Sequence, residues 1–513
     1  MSQKKQMFKD VGIYAISAYS AQILDIINGV LIRRFLGATQ MGIWSFLQIF
    51  LLYAKHAGLG VAAATLRDIP YHRGKGEYEK ADEARDLIFS FTILTSIIAA
   101  AGVVIFAIWY RPRTETPFFI GLLVIALVIV LQRVYNLFVS LLRAYKEFIF
   151  TGYLNFISSL TSIVFAVVLT WHFQIYGFFA GIILNFLLSI VLILWRTRYR
   201  FRFYLSWEKL QPLIHFGLAM LVLDILRSTL MNIDRMMVTR FLGFQELGVY
   251  SVALMVNNFI FNFPTLLVAV FPPYFQEAYG KRDRAEDLEK ILLIPTLVLS
   301  YVLAVLVGIV WIAVPWLVHK ILPEYISGIT ALRLLVVGSF FLALTHGFST
   351  FVITVRKHLI LIPILVVLIV FGFVINIYLL THGYGLAGAA IGTGILYIVY
   401  FLTLAFFSFS HIFSITGTFK ALARVIFPFI YLLGSLALIR YFVPGTDLYL
   451  NQVLIRSIMF LLLAVPLVIM AERETKILSL AIEVIFKRKP KAERRTIKQG
   501  VVPEEESPDS TKP

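Results

Sequence analysis

The stretch "RRFLGATQMGIWSF", Arg33 to Phe46, is spoken almost a second time by "TRFLGFQELGVYSV", Thr239 to Val252. In both copies Arg-Phe-Leu-Gly is followed by four free residues, then Gly, a β-branched residue, an aromatic and Ser. Arg34 aligns with Arg240, Gly37 with Gly243, Gly42 with Gly248 and Trp44 with Tyr250. Two further phrases recur at nearly the same offset and in the same order. "YGFFAG" from Tyr176 matches "YGLAGAAIG" from Tyr384, and the turn "LLRAYKEF" around Lys146 matches "ITVRKHLI" around Lys357. Any one match is weak in apolar sequence. Three in register indicate an internal duplication.

What is duplicated is a set of membrane spans. The chain has 513 residues, 59% hydrophobic and 15% charged, against about 25% charged in soluble domains. Its apolar runs reach about 20 residues, enough to cross a ~30 Å hydrocarbon core as helix. Backbone polar groups in lipid must be satisfied within the segment, which points to helices, and the short alternating segments of a barrel are missing. Fourteen spans are expected: 11–33, 42–64, 87–110, 117–141, 150–172, 176–196, 212–238, 247–270, 291–317, 329–354, 359–381, 385–408, 420–441 and 451–471. The first is too long, and lacks the small-residue site, to be a cleaved signal peptide. The expected architecture is therefore an all-α polytopic membrane protein of about 14 transmembrane helices. Residues 1–205 form an N-lobe of six spans and 206–410 a C-lobe of six. Two further spans occupy 411–471, and 472–513 form a tail. Six is even, so the lobes are parallel repeats about an axis along the membrane normal, as in alternating-access transporters.

The formal net charge is +17. Its distribution argues against a nucleic-acid footprint. With the termini placed inside, 33 of the 46 Lys and Arg fall in cytoplasmic segments and about 7 outside, the positive-inside signature. In the tail, Ile477, Leu480, Ala481, Val484 and Ile485 share one face, followed by basic residues, as in a helix lying on the inner leaflet; a soluble helix packed on a loop is the alternative. Beyond Lys489 the composition is that of a disordered segment. There is no cysteine, which excludes thiolate chemistry, and neither a P-loop nor an HExxH pattern occurs. No metal site and no resident cofactor are expected.

These features resemble the polysaccharide-transporter branch of the MOP flippase superfamily. The resemblance rests on the RFLG-x4-G-[IV]-[WY]-S phrase, the 6 + 6 + 2 layout and "YGLAGAAIGTGI", and covers about residues 8–470. It implies an O-antigen (Wzx-type) flippase that moves an undecaprenyl-pyrophosphate-linked oligosaccharide from the inner to the outer leaflet of the plasma membrane. It implies alternating access driven by an H+ or Na+ gradient or the membrane potential, and no catalytic residue. Its partners would be the lipid-linked sugar, membrane lipids, and a polysaccharide polymerase with its chain-length machinery. A MATE-type drug or cation antiporter, a lipid II flippase, and a membrane polymerase or ligase are the alternatives. Outer loops of about ten residues leave the last of these little room for a catalytic site.

Ionisable groups within spans face cavities or partners because lipid penalises them. Lys55, Arg227 and Arg235 are the candidate cations for a pyrophosphate, with Arg133 on the cytoplasmic approach, since guanidinium grips phosphate bidentately. Asp25, Asp224 and Asp234 are the candidate ion-coupling sites. Gln22, His56, Asn257, Asn258 and Asn262 are the candidate polar lining. Each has a plainer reading. Asp224 and Arg227 are spaced to pair along one helix, His56 suits an interior histidine, and the asparagines suit interhelical hydrogen bonds. Arg333, Arg440 and Arg456 lie near span ends, where they can snorkel. Gly37, Gly42, Gly243 and Gly248 are expected to permit tight turns at the outer face, beside Arg34 and Arg240.

Overall fold

The computed structural model describes residues 3–113, 115–197, 199, 201–264, 275–276, 278–280, 284–445 and 448–475. The expected tail helix lies outside them. The described residues are mostly helical and contain no strand. In chain order the helices are α1 (Gln3–Ala54), α2 (Ala64–Gly74), α3 (Tyr78–Tyr110), α4 (Thr116–Ala144), α5 (Phe148–Thr197), α6 (Trp207–Leu230) and α7 (Ile233–Asn262). They continue as α8 (Glu289–Ile321), α9 (Ile329–Thr354), α10 (Leu361–Thr381), α11 (Gly385–Ser410), α12 (Ile415–Phe442) and α13 (Leu450–Thr475). Ten helical segments among the described residues are long and apolar enough to cross a membrane. Two of them, Ser20–Gly58 and Phe148–Thr197, are 39 and 50 residues long, about twice the ~20 that one crossing needs. α6 and α7, which carry Asp224, Arg227, Asp234, Arg235 and Arg240, are not in that set. The chain is an all-α, multi-pass membrane protein.

The repeated phrases turn out to be corners of the same geometry. Gly37 (φ 70°) bends α1 into two arms and Gly243 (φ 88°) bends α7. Both lie in the left-handed region that glycine enters without a Cβ penalty. Lys146 (φ 63°) ends α4 and Arg356 (φ 57°) ends α9. At the first, Lys146 N donates to Arg143 O and Glu147 N to Leu142 O; at the second, Arg356 N donates to Ile353 O and Lys357 N to Val352 O. These are matching left-handed helix stops, in which the last orphan carbonyls are satisfied by reversed amides. Gln174 (φ 55°) and Gly383 (φ 83°) mark the third pair.

Gly42 and Gly248 depart from expectation. They form no turn. Both lie inside the second arms of α1 and α7, where they bring the two helices into backbone contact, as described below.

The buried side chains of the first half form two separate cores. One gathers Leu47, Leu122, Ile125, Ile129 and Phe179; the other gathers Ile69, Leu137, Leu142, Leu154 and Ile193. Helix α4 contributes to both, and Arg133 lies on it between Ile129 and Leu137. The second half has one continuous core around Phe340, Tyr397, Phe401 and Phe409. Arg456 does not snorkel. It is buried and donates to Val443 O and Gly445 O, fastening the turn between α12 and α13. Arg333 stacks on the Trp311 ring at 4.3 Å.

Candidate functional site

The two halves meet along a seam that follows the second arm of α1. It starts beside the corner at Gly37. Arg33, buried at the end of the first arm, donates through Nε to Ser251 Oγ (3.0 Å) and through Nη2 to Ser251 O (3.1 Å), both on α7. Its Nη1 donates to Gly29 O (2.8 Å) and Met255 Sδ (3.2 Å). The corner itself is capped from the second half. The Tyr325 hydroxyl donates to Arg33 O (3.0 Å), and Ala38 N donates to a Glu324 carboxylate oxygen (3.1 Å). The carboxylate thus sits at the positive end of the second arm, where a helix terminus leaves its amides free.

Next along the seam come the paired glycines. A Cβ on Gly42 would lie 1.7 Å from Phe244 O, and one on Gly248 would lie 1.7 Å from Ala38 O; each would also be 3.0 Å from the other glycine's nitrogen. The same position of each copy therefore faces its counterpart. One step further, the Tyr53 and Thr229 hydroxyls meet at 2.8 Å.

Helix α1 then ends at Ala54. Two short 3-10 turns, Lys55–Gly58 and Val61–Ala63, carry the chain to α2, with Leu59 (φ 47°) and Gly60 (φ 76°) left-handed between them. Arg133 holds this break from behind. Its guanidinium donates to Ala54 O (2.8 Å), Lys55 O (3.3 Å), Ser96 Oγ (2.7 Å) and Thr95 Oγ1 (2.7 Å). Helix-end carbonyls left bare in an apolar interior cost free energy, and Arg133 supplies the donors. Arg133 is buried and committed to this task, so the geometry separates it from the other candidate phosphate-binding cations.

The break turns Lys55 into a cavity of 380 Å3 lined by Lys55, His56, Asp224, Arg227, Ser349 and Tyr400. Lys55 Nζ lies 3.6 Å from Asp224 Oδ2, across the two halves. The sequence spacing suggested that Asp224 pairs with Arg227 along α6; the structure turns it to Lys55. Among the described residues no carboxylate reaches ion-pair distance of Arg227, whose guanidinium lies 6.0 Å from the centre of the Phe261 ring. His56 is buried, with Nε2 3.5 Å from Ser228 Oγ and Nδ1 3.9 Å from Asp224. At the wall of this cavity the halves touch again. A Cβ on Gly60 would lie 2.6 Å from Gly217 Cα. Both glycines line the cavity.

Other expected site residues lie elsewhere. Asp234 is 1% exposed in the second half's core and accepts from the Tyr250 hydroxyl (2.9 Å) and Arg235 N (2.8 Å). Arg235 is half-buried beside it, with Nε lacking a partner. Asn257 accepts from Ser339 Oγ (2.6 Å) in that core, while Asn258 and Asn262 are exposed. Asp25 on the first arm of α1 is exposed and within hydrogen-bonding reach of Ser159; Gln22, one turn earlier, is half-buried. Sequence reasoning missed Arg33, Ser251, Glu324, Tyr325 and the Gly60–Gly217 contact. For Arg33 there was a signal: it aligns with Thr239, a place where the two copies differ. Glu324 and Tyr325 sit in the short 3-10 helix Pro323–Gly328, which carries no repeated phrase.

Comparison with known proteins agrees with this architecture. Residues 75–292 match the family described as polysaccharide biosynthesis protein. No curated protein matches the chain. Among solved structures, the lipid II flippase MurJ in an inward closed conformation is 16% identical, with a TM-score of 0.66 over 90% of this chain and 99% of that one. An inward-facing multidrug resistance MATE family transporter of the MOP superfamily is 18% identical, with a TM-score of 0.63 over 78% and 96%. A MOP superfamily transporter from Pyrococcus furiosus, whose binding pocket is described as reversed in polarity, is 16% identical, with a TM-score of 0.56 over 79% and 96%. At these identities the likeness is one of fold. The chain thus shares the fold of these transporters and of the lipid II flippase, and its residues 75–292 resemble polysaccharide biosynthesis proteins.

Proposed function

We propose that the chain is a flippase that carries an undecaprenyl-pyrophosphate-linked oligosaccharide from the inner to the outer leaflet by alternating access. The observation that carries this reading is the cavity on the seam, where two cations, Lys55 and Arg227, face one carboxylate, Asp224. The site carries a net positive charge that attracts an anion, the two charges of a pyrophosphate diester match its two cations, and guanidinium with ammonium suits the phosphate oxygens. The match of residues 75–292 to polysaccharide biosynthesis proteins supports sugar as the cargo. At 380 Å3 the cavity is at the low end of the ~300–1,000 Å3 usual for small ligands. A head group of several sugars therefore enters only when the halves part, which alternating access supplies.

In this reading the Gly37 end faces outward and the Arg73 end faces the cytoplasm, as the charge count requires, with both termini inside and the chain in the plasma membrane. An apolar groove of 380 Å3 between α8 and α13, bordered by Phe263, Tyr301 and Leu467, offers the prenyl chain a place to lie. Of the three aspartates, Asp234 suits ion coupling best, being buried with hydroxyl and amide partners and, among the described residues, no cation within ion-pair distance. The polymerase and chain-length machinery would receive the flipped product.

The test is leaflet transfer of a prenyl-pyrophosphate oligosaccharide in proteoliposomes. Lys55→Ala combined with Arg227→Ala is expected to lower transfer at least tenfold. Unchanged transfer removes the charge-matching mechanism. Efflux of cationic dyes without lipid transfer favours the drug-antiporter reading instead.

A further inference from the structure

We infer that Asp224 is a resident counter-ion for Lys55, a lock between the halves that the incoming anionic head group displaces. This rests on the proposed anionic substrate and adds how the site is regulated. Lys55 belongs to the first half and Asp224 to the second, and their 3.6 Å pair lines the same cavity as the Gly60–Gly217 contact. The pair is not deeply buried, and the other charged contact of Asp224 among the described residues is the long one to His56 Nδ1, at 3.9 Å. The side chains are 46% and 55% exposed to the cavity, and no further hydrogen bond holds either one among the described residues. Such a pair exchanges partners readily, because half-solvated ion pairs are held weakly.

A pyrophosphate group changes the balance in two ways. It offers Lys55 more negative charge than one carboxylate does. It also repels Asp224 while being held by Arg227, which lies one helical turn from Asp224 on α6. The anion thus takes both cations and expels the carboxylate that joined the halves. With that contact gone, the Gly60–Gly217 end opens more readily, held across the halves by the exposed Lys209–Glu83 pair. After release, Asp224 returns to Lys55. The empty carrier then resets without an unpaired ammonium in a low-dielectric path, where a lone charge is penalised. Arg133 takes part as a positioning residue: by holding the Ala54 and Lys55 carbonyls it fixes the break that aims Lys55 across the seam.

The chain has no cysteine, so paired spin labels can be placed at will. Leu66 on α2 and Leu218 on α6 are 51% and 47% exposed, one in each half and near Gly60 and Gly217. With labels at Leu66→Cys and Leu218→Cys in full-length protein in nanodiscs, the empty carrier is expected to show mainly a short distance. Asp224→Asn should raise the long-distance population about fivefold, as loss of an ion pair of that exposure allows. Inorganic pyrophosphate should do the same in the parent and add nothing in Asp224→Asn. Lys55→Ala should open the end and abolish the pyrophosphate response. Distances unmoved by Asp224→Asn overturn the lock. Distances moved by Asp224→Asn but not by pyrophosphate, nor by prenyl pyrophosphate, overturn the displacement and place the fault in the anionic-substrate reading.

Discussion

Replacing Gly42 with Ala tests whether the glycine seam is the closed state of a moving contact. The new Cβ would lie 1.7 Å from Phe244 O and 2.6 Å from Phe244 C, whereas real Cβ contacts stay beyond 3.0 Å. The arms of α1 and α7 must therefore part by about 1.3 Å, a gap that already forfeits much of their dispersion attraction. The obstacle is helix backbone, so no side chain can rotate aside. Overpacking costs about 1–3 kcal/mol, and a rigid obstacle puts Gly42→Ala at the upper end, about 3 kcal/mol. Because the penalty falls on the closed arrangement alone, the closed-to-open ratio should drop about 100-fold, at 1.4 kcal/mol per tenfold. Ser45 is a suitable reporter: it is buried one turn from Gly42, and its hydroxyl donates only to Met41 O of its own helix. Labelling of Ser45→Cys by a membrane-impermeant maleimide from the Gly37 side should accelerate by about two orders of magnitude in Gly42→Ala. Gly248→Ala should act alike, and the double substitution should add little, since one separation relieves both clashes. Folded Gly42→Ala protein whose Ser45→Cys labels at the parent rate would refute the reasoning.

Arg33→Lys keeps the charge and loses the fork that reaches both Ser251 and Gly29, so it should weaken the closed state by about 2 kcal/mol, read as faster Ser45→Cys labelling. Arg133→Lys should lower the melting temperature and slow transfer together, because a point charge cannot serve four acceptors on two helices; a stability equal to the parent's would show that the break at Lys55 needs no clasp. On the charged face outside the membrane, hydrogen bonds from Lys209 and Tyr204 hold the Glu83 carboxyl below the usual carboxylate range. An acid so depressed contributes stability above its ordinary value near ~4.3 and loses it as pH falls through the lower folded value. Acidification through that window should therefore loosen the link between α3 and the start of α6, visible in the fluorescence of exposed Trp207, and Glu83→Gln should flatten the step.

The repeated phrases were legible as corners because a left-handed backbone demands particular residues, and apolar runs of span length were legible because lipid demands them. The leading cavity charges, Lys55, Asp224 and Arg227, were legible for the same reason: charge inside a span needs a stated purpose. Their partners were not. Periodicity along α6 puts Arg227 within reach of Asp224, and nothing in the local sequence announces that a residue in the other half, beyond a broken helix, comes nearer. Arg133 illustrates the opposite limit. A guanidinium serves backbone carbonyls and phosphate oxygens equally well, so its residue type leaves the acceptor open until the end of α1 is located at Ala54. Gly42 and Gly248 were found for the right motif and given the wrong task, since a glycine that admits a turn and one that admits a neighbouring helix look identical in one dimension.

Gly42 meets Gly248, its own counterpart, with Phe244 and Ala38, also counterparts, exchanged as the neighbours each would strike. A patch that fits its own copy about a two-fold axis is an isologous interface. A half-length chain ending before α6 would carry that patch exposed. The full chain is in this respect a dimer with its subunits joined. Joining them permits what a symmetric pair cannot have: one corner, at Gly37, capped by Glu324, and the other, at Gly243, with open space beside it.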